Sequence, residues 1–410
     1  MLKTVFFSIC ISLSVSVMAQ QKSRKVVYVI ADGIPADVME RLDLPNFKKI
    51  VQAGTYTRMH VGGDKGSYNE TPTISAVGYN SLLTGTWVNK HNVPDNNIKA
   101  PNYNYQHIFK LFKDQYPNKK TAIFSSWTDN RTKLLGDGLP QTGHFKPDFI
   151  ADGYELDTAR FKHDRNSAYM HQIDEEVVKQ AAKTIHDQAP DLSWIYLEYT
   201  DDMGHRYGDG PEFYNAVNLL DKQMGQIWEA ITYRQQKHKE DWLIVITTDH
   251  GRDEKNGKGH GGQSDRQRST WMITNYKDLN AYAKYFDLGV VDIMPTIARY
   301  LNVTLPKAVV QEIDGTSFIG PVSISALKAN PFQNHLDISW KAIENKAQVK
   351  VWLATTNNFK TGGKDEYHLL GEVEAGTQHF LADLKNYPST FYKVLLEAPN
   401  NSLNTWVIIK

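Results

Sequence analysis

The run Ile244-Val245-Ile246-Thr247-Thr248-Asp249-His250-Gly251 delivers a carboxylate and an imidazole, side by side, to the end of an apolar β-type segment. The strand ends of an α/β sheet are where such folds place their sites, and an aspartate beside a neutral histidine suits a borderline metal such as zinc. Taken alone, the doublet also reads as a turn that closes a strand. Three further features change its weight. Asp32 directly follows the strand-like stretch 26–31, and Gly33 after it permits close backbone approach. Asp201 and His205 stand at i and i+4 just beyond the strand-like stretch 194–199, so one helical turn brings them to a common point. His260 lies in Gly257-Lys258-Gly259-His260-Gly261-Gly262, a small-residue loop able to carry an imidazole back to the same sheet edge. Three aspartates and three histidines are enough for two metal ions rather than one.

A second stretch with chemical potential is Thr71-Pro72-Thr73-Ile74-Ser75-Ala76-Val77-Gly78-Tyr79-Asn80-Ser81-Leu82-Leu83-Thr84-Gly85. Small and apolar residues from 76 to 83 predict a helix ended by Gly85, with Ser75 as its N-cap. The N–H groups at such a start favour a bound phosphate, and the helix dipole favours a serine alkoxide. Read locally, the serine is also a simple cap.

These residues need a frame to hold them. Up to about residue 320, buried-strand stretches at 26–31, 121–124, 194–199, 242–248 and 270–274 alternate with helical spacing, as in Ile173, Val177, Ala181 and Ile185, or Tyr214, Val217, Leu220, Met224 and Trp228. The alternation predicts an α/β domain with a mostly parallel sheet sandwiched by helices over 20–319. Beyond Gly320-Pro321 the pattern changes to strand-like stretches at 336–340, 348–354, 367–373, 379–384, 391–398 and 405–409 without helical period, predicting an all-β sandwich over 320–410. That part resembles a fibronectin type III module, with Trp340 where the second strand carries its core tryptophan and Tyr392 near the turn into the sixth.

The first 19 residues, with Lys3, an apolar run and Ala19, read as a secretory signal peptide, so a periplasmic or secreted product is expected. The single cysteine, Cys10, lies within that segment, and the rest of the chain can form no disulfide. No later run has the length of a membrane helix, so no integral membrane association is expected. With 46 basic and 46 acidic residues, the chain lacks the charge excess of a protein that coats a nucleic-acid polymer.

Asp-Gly after the first strand, a hydroxyl residue ten before the glycine of Thr-Gly, Asp-x-x-x-His, Asp-His-Gly and a late His-Gly follow in the order seen in the alkaline phosphatase superfamily. The stretch Val291-Asp292-Ile293-Met294-Pro295-Thr296-Ile297 and the later Asp314-Gly315 resemble its closing segment. Over roughly residues 25–319 the chain is most similar to the type I phosphodiesterase/nucleotide pyrophosphatase branch. The resemblance implies two zinc ions. Asp32, Asp249 and His250 would hold one beside the nucleophile Ser75, its fourth ligand, while Asp201, His205 and His260 would hold the other. Thr73 is the fallback nucleophile. It implies hydrolysis of a small-molecule phosphate ester through a phosphoseryl intermediate, at phosphodiester or nucleotide pyrophosphate bonds. A phosphomonoesterase or phosphonate hydrolase on the same site, and a non-catalytic surface-binding protein, stand as alternatives.

Two positions depart from the branch. It usually has threonine at the nucleophile and, three residues later, an asparagine that holds a phosphoryl oxygen; here stand Ser75 and Gly78. Asn80, Arg131 or Lys133 is expected to make the phosphoryl contact instead. A cation there would favour a dianionic monoester.

Overall fold

The computed structural model describes residues 22–409, so the expected signal peptide lies outside the described residues. Seven strands form the first sheet: β1 (Arg24–Ala31), β2 (Thr55–His60), β3 (Thr121–Ser125), β4 (Phe149–Ala151), β5 (Leu192–Leu197), β6 (Asp241–Thr247) and β7 (Ser269–Thr274). Their order is β2-β7-β6-β1-β5-β3-β4. The pairs β6–β1, β1–β5, β5–β3 and β3–β4 are parallel, while β7 and β2 close one edge antiparallel. β1 shows why its run is apolar throughout. Val26, Tyr28 and Ile30 enter one core, and Val27, Val29 and Ala31 enter the other, so no face of this strand meets water. Helices Ser75–Thr84, Ile108–Gln115 and Ile293–Tyr300 cover the first face, and Ala168–Gln188 and Pro211–His238 the second. Among the described residues, no helix is long and apolar enough to cross a membrane.

Two departures from the sequence reading bear on the site. The strand expected to run to Tyr199 ends at Leu197, and helix Tyr199–Tyr207 begins at once. The buried carboxylate of Asp174 accepts the Glu198 and Tyr199 N–H groups at 3.2 and 3.0 Å, which satisfies the new helix start and turns the chain off the sheet. The helix expected to be capped by Ser75 instead includes it: Ser75–Thr84 has Ile74 at its N-cap, with no side-chain cap. Ser75 Oγ is thereby free to face the sheet edge. Gly85 ends that helix in the left-handed region, φ 66°, where a side chain would be strained.

The C-terminal part contains β8 (Ile324–Phe332), β9 (His335–Ala342), β10 (Gln348–Ala354), β11 (His368–Glu374), β12 (His379–Asp383), β13 (Phe391–Glu397) and β14 (Ser402–Ile408). They form two antiparallel sheets, β12-β9-β8 and β11-β10-β13-β14, around a shared core that includes Trp340 and Tyr392. The Tyr392 hydroxyl donates to Tyr387 O at 2.9 Å and accepts Ser389 N–H at 3.0 Å, pinning the corner before β13.

Buried charge joins the two parts. Lys90 Nζ donates to Glu312 O and to Asn404 Oδ1 of β14, both at 2.7 Å. Lys393 of β13 reaches Glu312 Oε1 at 2.6 Å and Asp365 Oδ2 at 2.8 Å, with all three side chains almost wholly buried. Removing one partner of such a group leaves charge stranded out of water, a change of about 3–5 kcal/mol. Lys393→Met is therefore expected to lower the unfolding free energy by about 3 kcal/mol in denaturant titration; a loss below about 1 kcal/mol would show that the network does not hold the two parts together.

Candidate metal centre

Because β6, β1 and β5 are adjacent and parallel, their carboxyl ends open on one edge, and the chemistry-bearing residues collect there. Asp32 leaves β1, Asp249 and His250 leave β6, and Asp201 and His205 stand on the helix that follows β5. Ser75 opens its helix beside them, and the loop from β6 to β7 brings back His260.

The first cluster is fully buried. His250 Nε2 lies 3.3 Å from Asp32 Oδ1, 3.3 Å from Asp249 Oδ2 and 3.4 Å from Ser75 Oγ. Four donors bound tetrahedrally at about 2.0–2.1 Å stand roughly 3.3–3.4 Å apart, the spacing seen on each of these three edges. Asp32 Oδ1 and Asp249 Oδ2 have no hydrogen-bond partner. Buried carboxylate oxygens left bare would be strongly destabilising, so their convergence fits a cation. His250 Nδ1–H donates to Gly251 O at 2.9 Å, which leaves Nε2 with its lone pair toward the cluster.

The other oxygen of each aspartate is anchored. Asp32 Oδ2 accepts the hydroxyls of Tyr196, at 2.7 Å, and Tyr79. Asp249 Oδ1 accepts Gly33 N–H at 3.2 Å. Such outer contacts fix a ligand's orientation and set its donor strength.

The second cluster is more open. His205 Nε2 stands 3.1 Å from Asp201 Oδ2 and 3.0 Å from His260 Nε2. His260 Nδ1–H donates to Thr73 O at 2.9 Å, so its Nε2 also presents a lone pair, and its ring stacks on His250 with centroids 3.7 Å apart. Ligand atoms of Asp201, His250 and His260 all lie within 4.8 Å of one another, as do those of Asp32, Asp249 and His250, so the two clusters adjoin.

The electrostatics ask for positive charge. Burial, then the charge of Asp201, pushes the Asp32 carboxyl up to about 7. Burial, then Asp32 and Asp201, raises Asp249 as well. Burial also opposes the charge on Asp201, but the Arg252 guanidinium and the hydrogen bond from His205 overcome it and hold Asp201 well below the usual carboxylate range. Burial, then His260, depresses His250, keeping its imidazole neutral as a ligand must be.

Several expected contacts fall elsewhere. Arg131, expected at the phosphoryl group, is bound within its own region: Nε donates to Asp152 Oδ2 at 2.6 Å and Nη1 pairs with Asp137. Lys133 pairs with Asp129 at 2.7 Å. Asn80 is buried five residues along the helix from Ser75, about 140° around its axis, and so leaves on a different side. Thr73, the fallback nucleophile, ties the glycine loop instead, donating to Gly262 O at 2.8 Å and accepting Gly261 N–H at 2.9 Å. Gly78 has a steric reason to lack a side chain: a Cβ there would lie 2.9 Å from both Cβ and O of Asp249.

Sequence reasoning passed over Tyr79, Tyr196 and Arg252. Arg252 follows Asp-His-Gly by one residue, yet its guanidinium is fully buried and pairs with Asp201. Gly204 leaves room for this guanidinium, which a Cβ there would overlap. Tyr79 carried one signal, standing one helical turn after Ser75 and so on the same face.

Against known proteins, a family profile described as type I phosphodiesterase / nucleotide pyrophosphatase matches residues 26–262. A venom phosphodiesterase of Crotalus durissus collilineatus is 24% identical over 230 residues, covering 54% of this chain and 26% of that protein. The chain thus spans about a quarter of the length of that curated relative. Among solved structures, murine ectonucleotide pyrophosphatase / phosphodiesterase 5 superposes with a TM-score of 0.47 at 14% identity, over 69% of this chain and 96% of that one. A 2-O GAG sulfatase superposes with a TM-score of 0.50 at 11% identity, over 89% and 86%, a likeness of fold. With more than half of its length matched by the family profile, the chain belongs to the type I phosphodiesterase / nucleotide pyrophosphatase family.

Proposed function

We propose that this protein is a two-zinc hydrolase of phosphate esters, acting outside the cytoplasm on phosphodiester or pyrophosphate bonds of small molecules. The observation that carries the reading is the convergence of Asp32 Oδ1, Asp249 Oδ2, His250 Nε2 and Ser75 Oγ, with two of the carboxylate oxygens bare and buried. Asp32, Asp249, His250 and Ser75 would hold one ion, and Asp201, His205 and His260 the other. When bound, such ions lower the pKa of a serine hydroxyl and offset charge on phosphoryl oxygens.

The chain's own residues do the rest. Ser75 Oγ forms a bond to phosphorus as the ester oxygen departs with its electron pair, and the serine proton leaves to solvent or to the departing oxygen. Water then attacks the phosphoserine, Ser75 Oγ departs and regains a proton, and phosphate or a phosphomonoester is released. Two in-line displacements retain configuration at phosphorus overall. His250, kept neutral by burial, is oriented by the hydrogen bond from its Nδ1–H to Gly251 O.

The ion pairs of Arg131 favour the diester reading over a monoesterase or phosphonate hydrolase. A dianionic monoester needs an additional cation, and this one is engaged by Asp152 and Asp137. On zinc-loaded protein, kcat/KM for bis(p-nitrophenyl) phosphate is expected to exceed that for p-nitrophenyl phosphate by about tenfold or more, roughly 1.4 kcal/mol of differential transition-state binding. The reverse ratio would assign a monoesterase. No hydrolysis of either ester, with no bound metal, would point to a non-catalytic surface-binding protein, a reading motivated by the sandwich.

A further inference from the structure

Arg252 belongs to neither ligand set, yet it touches every segment that carries the second one. Its Nε donates to Gly33 O at 2.8 Å, in the turn that follows Asp32. Its Nη2 donates to Asp201 O at 2.8 Å and pairs with the Asp201 carboxylate through Oδ1, the oxygen that faces away from His205. Its Nη1 donates to Lys258 O at 3.3 Å, in the glycine loop two residues before His260. The guanidinium has no exposed surface and lies over the Phe213 ring, 5.4 Å from its centroid.

The backbone is built around this side chain. A Cβ on Gly33 would lie 2.7 Å from Nη2, and one on Gly204 would overlap the guanidinium carbon. Gly33 also stands at φ +68°, where a side chain is strained in any case. A planar five-donor fork can satisfy several carbonyls and a carboxylate at fixed angles; a lysine ammonium cannot reproduce that geometry.

We propose that Arg252 is the positioning residue of the Asp201–His205–His260 half-site: it clamps the Asp201 helix and the His260 loop to the turn after Asp32 and so sets the spacing of the two clusters. The role rests on the two-metal reading above. Charge and clamp are separable, because Arg252→Lys keeps a cation beside Asp201 but cannot reproduce the fork that ties the three segments together.

The test is a chelator-competition titration of zinc on the full chain for wild type, Arg252→Met, Arg252→Lys and His205→Ala. Wild type is expected to hold two ions. Arg252→Met is expected to weaken one of them by about 10–100-fold, the usual effect of losing an outer contact to a ligand, and to leave the other within about threefold. His205→Ala identifies the affected ion, and adding Arg252→Met to it is expected to leave the remaining ion unchanged. Arg252→Lys keeps the charge and serves if the methionine variant does not fold; it is expected to weaken the same ion. Both ions held as tightly or more tightly in the Arg252 variants would overturn the clamp, and so would equal weakening of both. Wild type that takes up no zinc would overturn the two-metal reading itself, and the clamp with it.

Discussion

Ser75→Ala is expected to lower kcat for the preferred ester by at least about a thousandfold, because removal of a covalent nucleophile leaves only binding and electrostatic contributions to the rate. The substitution is structurally mild. Ser75 does not cap its helix, and its hydroxyl makes one long contact of 3.4 Å, to His250. The variant should therefore melt within a few degrees of the parent and still take up metal at the six Asp and His positions. Steady-state assays across pH 6–9, with metal content measured in parallel, separate the two effects. Retention of more than about a tenth of the parent kcat would remove Ser75 from the role. Thr73 is a poor substitute, because its hydroxyl already serves Gly262 and Gly261.

Stripping the metal should have an effect of similar size on rate and a separate one on stability. Excess EDTA is expected to abolish hydrolysis, and added zinc to restore it. Two ions present at a thousand times their dissociation constants would each contribute about 4 kcal/mol. At roughly 1–2 °C per kcal/mol for a chain of this size, losing about 8 kcal/mol should lower Tm on the order of 10 °C. In the metal-free protein Asp32 should also contribute a pH dependence of defined direction. Asp32 is pushed up to about 7, from an ordinary 3.8, by burial and by Asp201. The folded state thus keeps a proton that the unfolded chain releases. Stability from this group is complete below about pH 4 and is lost as pH rises through about 7. Bound zinc takes the place of that proton, so the loaded protein should not show the decline. Equal Tm with and without zinc, or a metal-free pH dependence that Asp32→Asn leaves unchanged, would contradict this electrostatic reading of the site.

How far the sequence reaches can be seen residue by residue. Asp32 and the Asp249-His250 pair stand out because each comes at or just beyond the end of an apolar strand-like run, and a parallel strand's end is a position that sequence marks well. Asp201 and His205 share one helical turn, a local relation. Tyr79, Tyr196 and Arg252 escape because their partners lie 47, 164 and 51 residues away and only the tertiary fold introduces them. For Arg131 and Asn80 the converse holds: nearness to Ser75 or to a strand end says nothing of the Asp152 and Asp137 partners, or of the helix face on which a residue leaves. Among strands, β4 is three residues long and β2 is half-exposed at the edge, so neither carries a buried apolar run. β8 is exposed over most of its length, with a register shift between Ser325 and Lys328 that breaks its alternation. The change of period near residue 320 is visible in the sequence, whereas the buried Lys393–Glu312 contact is not, because a charged pair looks like surface until the fold covers it.

Under the proposed function, six Asp and His residues and Ser75 form two adjoining metal sites. A crystal of zinc-loaded protein, with anomalous scattering recorded on both sides of the zinc edge, tests it directly. Two peaks are expected, one about 2.0–2.2 Å from Asp32, Asp249, His250 and Ser75, and the other at the same distances from Asp201, His205 and His260. Full-occupancy zinc bound elsewhere, or no anomalous peak at these residues in protein that hydrolyses the ester, would contradict it.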